Sequence, residues 1–314
     1  MALALYAPGL GYYANGLRKF GTLPSSGSDF VTAPELSPLF GRALAVQVRQ
    51  ALQATGTSEV WEFGAGTGAL AHQLLVALGN EVERYTIVDL SGELRVRQQH
   101  SLQAYAPRVH WASELPARLS GVVVGNEVLD AMPVKLLVRK GGQANGVWHE
   151  RGVVALGDAL GWEDRPTDLR PPVEIEGPHD ILTEIHPQAD AFVRTLADRL
   201  DRGAAFFIDY GFPEAEFYHP QRHMGTLMCH RAHKADTDPL ADVGLKDITA
   251  HVNFTGIALA AQEAGLPTLG YTSQARFLIN CGVVGMMERE DLVTRATAAK
   301  LITEHEMGEL FKVI

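Results

Sequence analysis

The spacing of apolar positions changes several times along the chain. In "SPLFGRALAVQVRQALQATG", Phe40, Ala43, Leu44, Val48, Ala51 and Leu52 recur on one helical face. Ser37 suits the cap, Pro38 the first helical position and Gly56 the stop. Shorter apolar runs follow. "SEVWEFG" predicts a strand and "GALAHQLLVALG" a helix ending at Gly79. "ERYTIVDLS" predicts a second strand, with a helical pattern from Ser91 toward Tyr105. "RVHWAS" and "GVVVGNE" are further short strands. Strands alternating with helices predict a parallel sheet covered on both faces.

The alternation breaks at Pro133. "VKLLVRK" and "GVWHERGVV" flank a glycine-rich turn, which predicts a β-hairpin insertion near 134–156. "EDRPTDLRPPVEIEGPHD" reads as a connector rich in proline and acids. "PQADAFVRTLADRL" then predicts a helix with Gly203 as its stop, and "AAFFIDYG" a strand. A helix near "GIALAAQEAG", a strand near "PTLGYT" and terminal helices complete the pattern. The expected organisation is an N-terminal lid and helix over 1–56 and a core over 57–314, with additions near 212–256 that face the substrate.

Composition narrows the partners. The chain has 314 residues, 46% of them hydrophobic, enough to bury a large core. A net charge of -10 argues against nucleic acid, whose binding needs a basic footprint, and favours a cationic protein or peptide. No run of about 18 apolar residues occurs, so no membrane insertion is expected. "MALALYAPGLGYY" lacks the basic start and apolar stretch of a signal peptide, so a cytoplasmic, bacterial-type protein is expected. Cys229 and Cys281 read as reduced thiols. His219, His223, Cys229, His230 and His233 fit no standard zinc spacing, and no metal is expected.

The candidate chemistry begins at "VWEFGAGTGAL". Gly64, Gly66 and Gly68 let the backbone approach a ligand closely, and the following helix directs its N–H groups at that ligand. Asp89, at the end of the next strand, is placed to accept hydrogen bonds from ribose hydroxyls. NAD and S-adenosylmethionine both fit so far. Glu62 separates them. An acid there repels a pyrophosphate but favours the ammonium and sulfonium of S-adenosylmethionine; the plainer alternative is a structural or capping acid. In "WASELP", Ser113, Glu114 and Leu115 are adenine-contact candidates by position. "GVVVGNEVLDAMPV" carries Asn126, Glu127 and Asp130, whose carboxylates can converge on one planar guanidinium and align a nitrogen with the transferred methyl. A solvated acidic turn is the alternative. Asp29, Thr32, Pro34 and Glu35 belong to a segment that can fold over the cofactor. Tyr210, in "IDYG", is a substrate-pocket candidate at the sheet's carboxyl edge, whereas Tyr6, Tyr12 and Tyr13 read as packing.

These motifs, with "LYAPGLGYY", "SDFVTAPELSPLFG", "EFGAGTGALA", "EIHPQADAFV", "GTLMCHRAHKADTDPLADVGLKDITAHVNFT", "TSQARFL" and "MGELFKV", resemble the MidA-like proteins over nearly the whole chain. These are bacterial relatives of the mitochondrial complex I assembly methyltransferase. The resemblance implies an α/β fold, the Rossmann-like class I methyltransferase core, with a seven-stranded sheet of order 3-2-1-4-5-7-6 and family-specific N-terminal and inserted segments. It implies S-adenosylmethionine as cofactor, held by Glu62, Gly64, Ala65, Gly66, Thr67 and Gly68. For mitochondrial members it implies methylation of a protein arginine in a respiratory complex I subunit. Two departures stand out. Relatives usually carry a helical segment before "LYAPGLGYY", and Asn253 in "AHVNF" replaces a common aspartate.

The expected function is therefore methyl transfer to a protein arginine, with Glu127, Asp130 and Asn126 as catalytic residues and Tyr210, Asp29 and Glu35 nearer the substrate. The competing readings are a non-catalytic chaperone that retains the cofactor fold, an NAD-dependent oxidoreductase lacking a positioned proton donor, and a methyltransferase for RNA or a small molecule. A homodimer is left open.

Overall fold

The computed structural model describes every residue except 16–30, 90, 142–145 and 178, and the side chain of 93. Strand β1 (Glu59–Phe63) leads into the helix Ala69–Leu78, and β2 (Arg84–Val88) into the helix Gly92–Ser101. β3 (Val109–Ala112) and β4 (Leu119–Asn126) follow. β5 (Lys135–Arg139), β6 (Trp148–Leu156), β7 (Ala159–Pro166) and β8 (Ile181–Ile185) precede the helix Pro187–Arg199 and the long β9 (Leu200–Phe212). Then come β10 (Met228–Arg231), β11 (Lys234–Asp236), β12 (Asp247–Thr249) and β13 (Val252–Asn253). After the helix Phe254–Glu263, β14 (Thr272–Ser273) and β15 (Phe311–Val313) enclose the C-terminal helices.

The main sheet runs β3-β2-β1-β4-β9-β15-β14, with β13 also paired to β9. With β9 as fifth, β14 as sixth and β15 as seventh strand, this is the expected order 3-2-1-4-5-7-6. β1, β2, β3, β4 and β9 are parallel, and β15 joins β9 antiparallel. Phe63 stands opposite Val88 of β2 and Gly125 of β4. The carboxyl ends of β1, β2 and β4 are therefore level, and the residues that follow them meet at one edge.

Side-chain alternation distributes the core over both faces. Val60, Val122 and Val124 pack with Leu44 and Val48 of the helix Leu39–Thr55 and with Leu74 and Leu75. Their neighbours Trp61, Phe63 and Val123 pack on the other face with Val193, Leu196 and Ile257. Because helices cover both faces, these strands read as near-continuous apolar runs. Two of the predicted helix ends recur: Gly56 closes its helix with φ 61°, and Ser91 Oγ accepts from Leu94 N.

Two expectations differ from what is observed. The hairpin expected near 134–156 belongs to a four-stranded antiparallel sheet, β7-β6-β5-β8, that extends to Ile185. Part of the expected connector, Glu163–Pro166, is the end of β7. Most of that strand is exposed, so it has no apolar alternation to announce it. Gly203 does not stop a helix. The helix ends at Arg199, and Gly203 lies within β9 opposite Gly121 of β4. A Cβ on Gly203 would sit 1.8 Å from the Gly121 carbonyl oxygen, so two backbones approach here more closely than any side chain permits. Among the described residues, no helix is long and apolar enough to cross a membrane.

Gly203→Ala is expected to lower stability by about 3 kcal/mol, because backbone rather than a flexible side chain must yield. Urea unfolding measures this; an unchanged midpoint would show that β4 and β9 can separate freely.

Candidate active site

A cavity of about 1310 Å³ opens at the carboxyl edge of the parallel strands. It brings together Glu62, Gly64, Ala65, Gly66, Thr67, Asp89, Asn126, Glu127, Asp130, Tyr210 and Glu35. Gly68 does not line it but caps the helix Ala69–Leu78. Ser113 is exposed and away from the lining. Leu115 is also absent from it. Its side chain packs with the Trp61 and Phe63 cluster, and its carbonyl accepts from Arg199 Nη1 at 2.8 Å. Asp29 lies outside the described residues.

The glycine turn has its shape for a backbone reason. Gly64, Gly66 and Gly68 have φ of 61°, 53° and 84°, a region costly to L side chains. Gln98 holds the turn in place. Its amide nitrogen donates to the Gly66 carbonyl and to Asp89 Oδ2, both at 2.9 Å, and its oxygen accepts from Trp111 Nε1 at 2.9 Å. Asp89 Oδ1 accepts from Ser91 N at 2.9 Å. Sequence reasoning missed Gln98, although a signal was present: Leu94, Gln98 and Leu102 form a buried i, i+4, i+8 stripe. A polar residue on such a stripe needs partners inside the protein.

The cavity wall carries the buried carboxyls of Glu62 and Asp130 and the half-buried Glu127. Tyr85 donates to Glu62 Oε2 at 2.6 Å. Burial nevertheless pushes the Glu62 carboxyl up to about 8, with Asp89 adding to the rise and the Tyr85 bond opposing it. Glu127 begins the turn after β4 in the left-handed region, φ 54°. Asn126 Nδ2 donates to its Oε1 at 3.0 Å. Burial also raises Glu127 to about 8, assisted by the charges of Asp130 and Glu35. Asp130 is raised to about 6, again chiefly by burial, while the Tyr210 hydroxyl donates to its Oδ2 at 2.5 Å and opposes the shift. Asn126 Oδ1 and Asp130 Oδ1 are buried with no hydrogen-bond partner among the described residues. Unsatisfied buried acceptors on cavity-lining residues suit a ligand that brings hydrogen-bond donors.

The turn bearing these groups is fixed from below. Asp209 Oδ2 accepts from the backbone N–H groups of Val128, Leu129 and Asp130 at 3.1, 2.9 and 3.3 Å, and its Oδ1 from Tyr210 N at 2.9 Å. The N-terminal segment closes one side. Tyr6 donates to the Ala131 carbonyl at 2.7 Å and stacks on Tyr13, which donates to Asp247. Tyr6 and Tyr13 thus both pack and line the cavity. Gln73 ties the short helix Ala33–Leu36 to the core by donating to the Pro34 carbonyl and accepting from Gly41 N. Asn253 caps the helix Phe254–Glu263 by accepting from Gly256 N at 3.2 Å, and it does not line this cavity. Asparagine and aspartate cap about equally well, so the departure at this position takes no charge from the site.

Comparison with known proteins agrees with this geometry. A family model described as "Putative S-adenosyl-L-methionine-dependent methyltransferase" matches residues 43–272. A Burkholderia thailandensis protein, crystallised bound to S-adenosyl-homocysteine, is 53% identical; the match covers 100% of this chain and 85% of that one with a TM-score of 0.93. The mitochondrial protein arginine methyltransferase of Danio rerio is 27% identical over 99% of this chain and 81% of its own. The Caenorhabditis elegans homologue is 25% identical over 92% and 73%.

Asp209→Ala leaves several buried N–H groups without an acceptor. It is expected to cost roughly 3 kcal/mol, with Asp209→Asn milder because one acceptor oxygen remains. Denaturant midpoints for the pair check this; equal midpoints would mean that water replaces the carboxylate.

Proposed function

The chain belongs to the MidA-like family of S-adenosylmethionine-dependent methyltransferases, and from that premise we propose that it methylates an arginine of a protein, with a respiratory complex I subunit as the candidate substrate. The observation that carries the arginine reading is the pair of acceptors, Asn126 Oδ1 and Asp130 Oδ1, that lack a partner among the described residues and stand beside Glu127. A guanidinium has five N–H donors and no acceptor, and its planar fork suits convergent carboxylates. The names of the mitochondrial relatives support the same acceptor, and the net charge of -10 suits a cationic partner. The proposed setting is the cytoplasm, with which two buried free thiols, Cys229 and Cys281, are compatible.

The residues present fit the cofactor. The glycine turn exposes backbone where any Cβ would intrude, Glu62 offers a carboxyl for an ammonium, and Asp89 is held ready for ribose hydroxyls. When bound, the cofactor supplies an electrophilic methyl on a positively charged sulfur. Glu127 and Asp130 would orient the guanidinium so that one nitrogen faces that methyl, and positioning of this kind can lower a barrier substantially. The bound guanidinium favours the ionised form of these carboxyls, which can then take the proton that the nitrogen must lose.

Radiolabelled methyl transfer from S-adenosylmethionine into lysate of a deletion strain tests the reading. Labelled protein containing methylarginine is the expected product; label on another residue overturns the acceptor assignment. Glu127→Gln is expected to reduce transfer about 100-fold or more while cofactor affinity stays near wild type. Loss of cofactor binding in the folded variant would mean that Glu127 serves the cofactor instead.

Cofactor binding should also depend on pH. Below about 8 the Glu62 carboxyl keeps its proton, and pairing with an ammonium requires its release. Affinity measured by calorimetry therefore rises with pH toward about 8 and falls again where the ligand's own ammonium loses its proton. Glu62→Gln removes the rising limb; a wild-type profile without a rising limb would remove Glu62 from the ammonium contact.

A further inference from the structure

One group on the cavity wall has no task in the scheme above. Ala250 N donates to the Asp130 carbonyl at 3.0 Å, so the chain after β12 lies against the turn that carries Asp130. His251 follows and lines the cavity. Its backbone is held on both sides: His251 N donates to Thr226 Oγ1 at 3.0 Å, and its carbonyl accepts from His186 Nε2 at 2.9 Å. Its ring stands edge-to-face with Tyr210 and Phe212, with centroids 5.3 and 5.1 Å apart. Tyr210 is the residue whose hydroxyl donates to Asp130. His251 Nδ1 is buried and has no hydrogen-bond partner among the described residues.

The surroundings keep this ring uncharged. Burial lowers its pKa to about 4, and Arg222 adds to the shift. Arg222 is itself engaged, paired with Glu216 at 3.0 Å and lying 3.8 Å over the Phe212 ring. Asp130 is carried on the neighbouring turn. A neutral imidazole offers one lone pair as an acceptor. Here the ring packs edge-to-face on Tyr210 and Phe212, and its Nδ1 has no partner among the described residues.

We infer that His251 is a positioning and specificity residue, an uncharged acceptor for a guanidinium N–H that Asn126, Glu127 and Asp130 leave over, and that it selects arginine over lysine. The inference rests on the guanidinium reading of the site. An arginine side chain brings five N–H donors and a lysine ammonium three. Once the acceptors after β4 are occupied, only arginine retains a donor for a further acceptor beside Tyr210. A neutral group serves better there than another acid, because one more buried carboxylate would raise its neighbours further.

The test uses the full chain saturated with S-adenosylhomocysteine and two probes, Nα-acetyl-L-arginine amide and Nα-acetyl-L-lysine amide. NMR titration with 15N-labelled histidine follows the His251 ring nitrogens. The arginine probe is expected to shift one of them and to bind more tightly than the lysine probe. His251→Phe keeps the ring contacts with Tyr210 and Phe212 but removes the acceptor. It is expected to weaken the arginine probe about tenfold, leave the lysine probe unchanged and leave S-adenosylhomocysteine affinity intact. His251→Asn, which restores an acceptor, should recover much of the preference. Arginine-probe binding that leaves the wild-type His251 nitrogens unmoved, or that His251→Phe does not weaken, overturns this inference alone. Wild-type protein that binds S-adenosylhomocysteine but does not prefer the arginine probe overturns the guanidinium reading together with it.

Discussion

Burial of acids without a cation is the condition around which the site is organised. Glu62, Glu127 and Asp130 each receive one neutral side-chain donor, from Tyr85, Asn126 and Tyr210 respectively. Among the described residues none of the three forms an ion pair with lysine or arginine. A carboxylate in such surroundings is costly, and the protein meets the cost by keeping the carboxyl protonated. A positively charged ligand reverses the balance. This condition occurs twice, beside the glycine turn and after β4, which matches a reaction between a cationic donor and a cationic acceptor.

The cost can serve recognition only if the scaffold does not relax to avoid it. Asp209 prevents this at the β4 turn by gathering the N–H groups of Val128, Leu129 and Asp130 on one oxygen. Gln98 does the same at the glycine turn by linking Gly66 to Asp89. Neither residue lines the cavity. Each fixes groups that do, and such supporting contacts separate a preorganised site from a loose one. The left-handed backbone of Glu127 belongs with this. A residue held in a sparsely populated conformation persists where its surroundings over-determine it.

What could be read from the sequence follows from the range of the physics involved. The strand–helix alternation, the caps at Gly56 and Ser91 and the glycine turn are local, and the sequence analysis anticipated them. Glu62, Asp89 and the acids after β4 were identifiable because each stands at a strand end that the alternation already located. Gln98 and Asp209 act through partners on other elements; the stripe of Leu94, Gln98 and Leu102 marks Gln98 as buried but does not name what it holds. Gly203 was misread for the same reason. A glycine after a helical run resembles a stop, whereas its cause is the Gly121 carbonyl, distant in sequence. β7 escaped because an exposed strand carries no apolar period. Ser113 and Leu115 were placed by analogy of position, and the loop after β3 turns them away from the cavity.

The accessory segments acquire a purpose from the size of the cavity they help enclose. At about 1310 Å³ it exceeds the roughly 300–1,000 Å³ of typical small-molecule pockets. The strand ends alone would wall one side of it. The other walls come from Tyr6 and Tyr13 at the N-terminus, from Arg151 and Trp162 of the β5–β8 sheet, and from Thr249 and His251 around β12. Met224, 78% exposed, and Trp162, 39% exposed, both line this cavity. Large apolar groups left open at the entrance to a buried acidic chamber favour an acceptor residue that arrives attached to a larger chain. The accessory sheets add exposed surface beside that chamber. The insertions therefore convert a cofactor fold into a site with room for a second reactant.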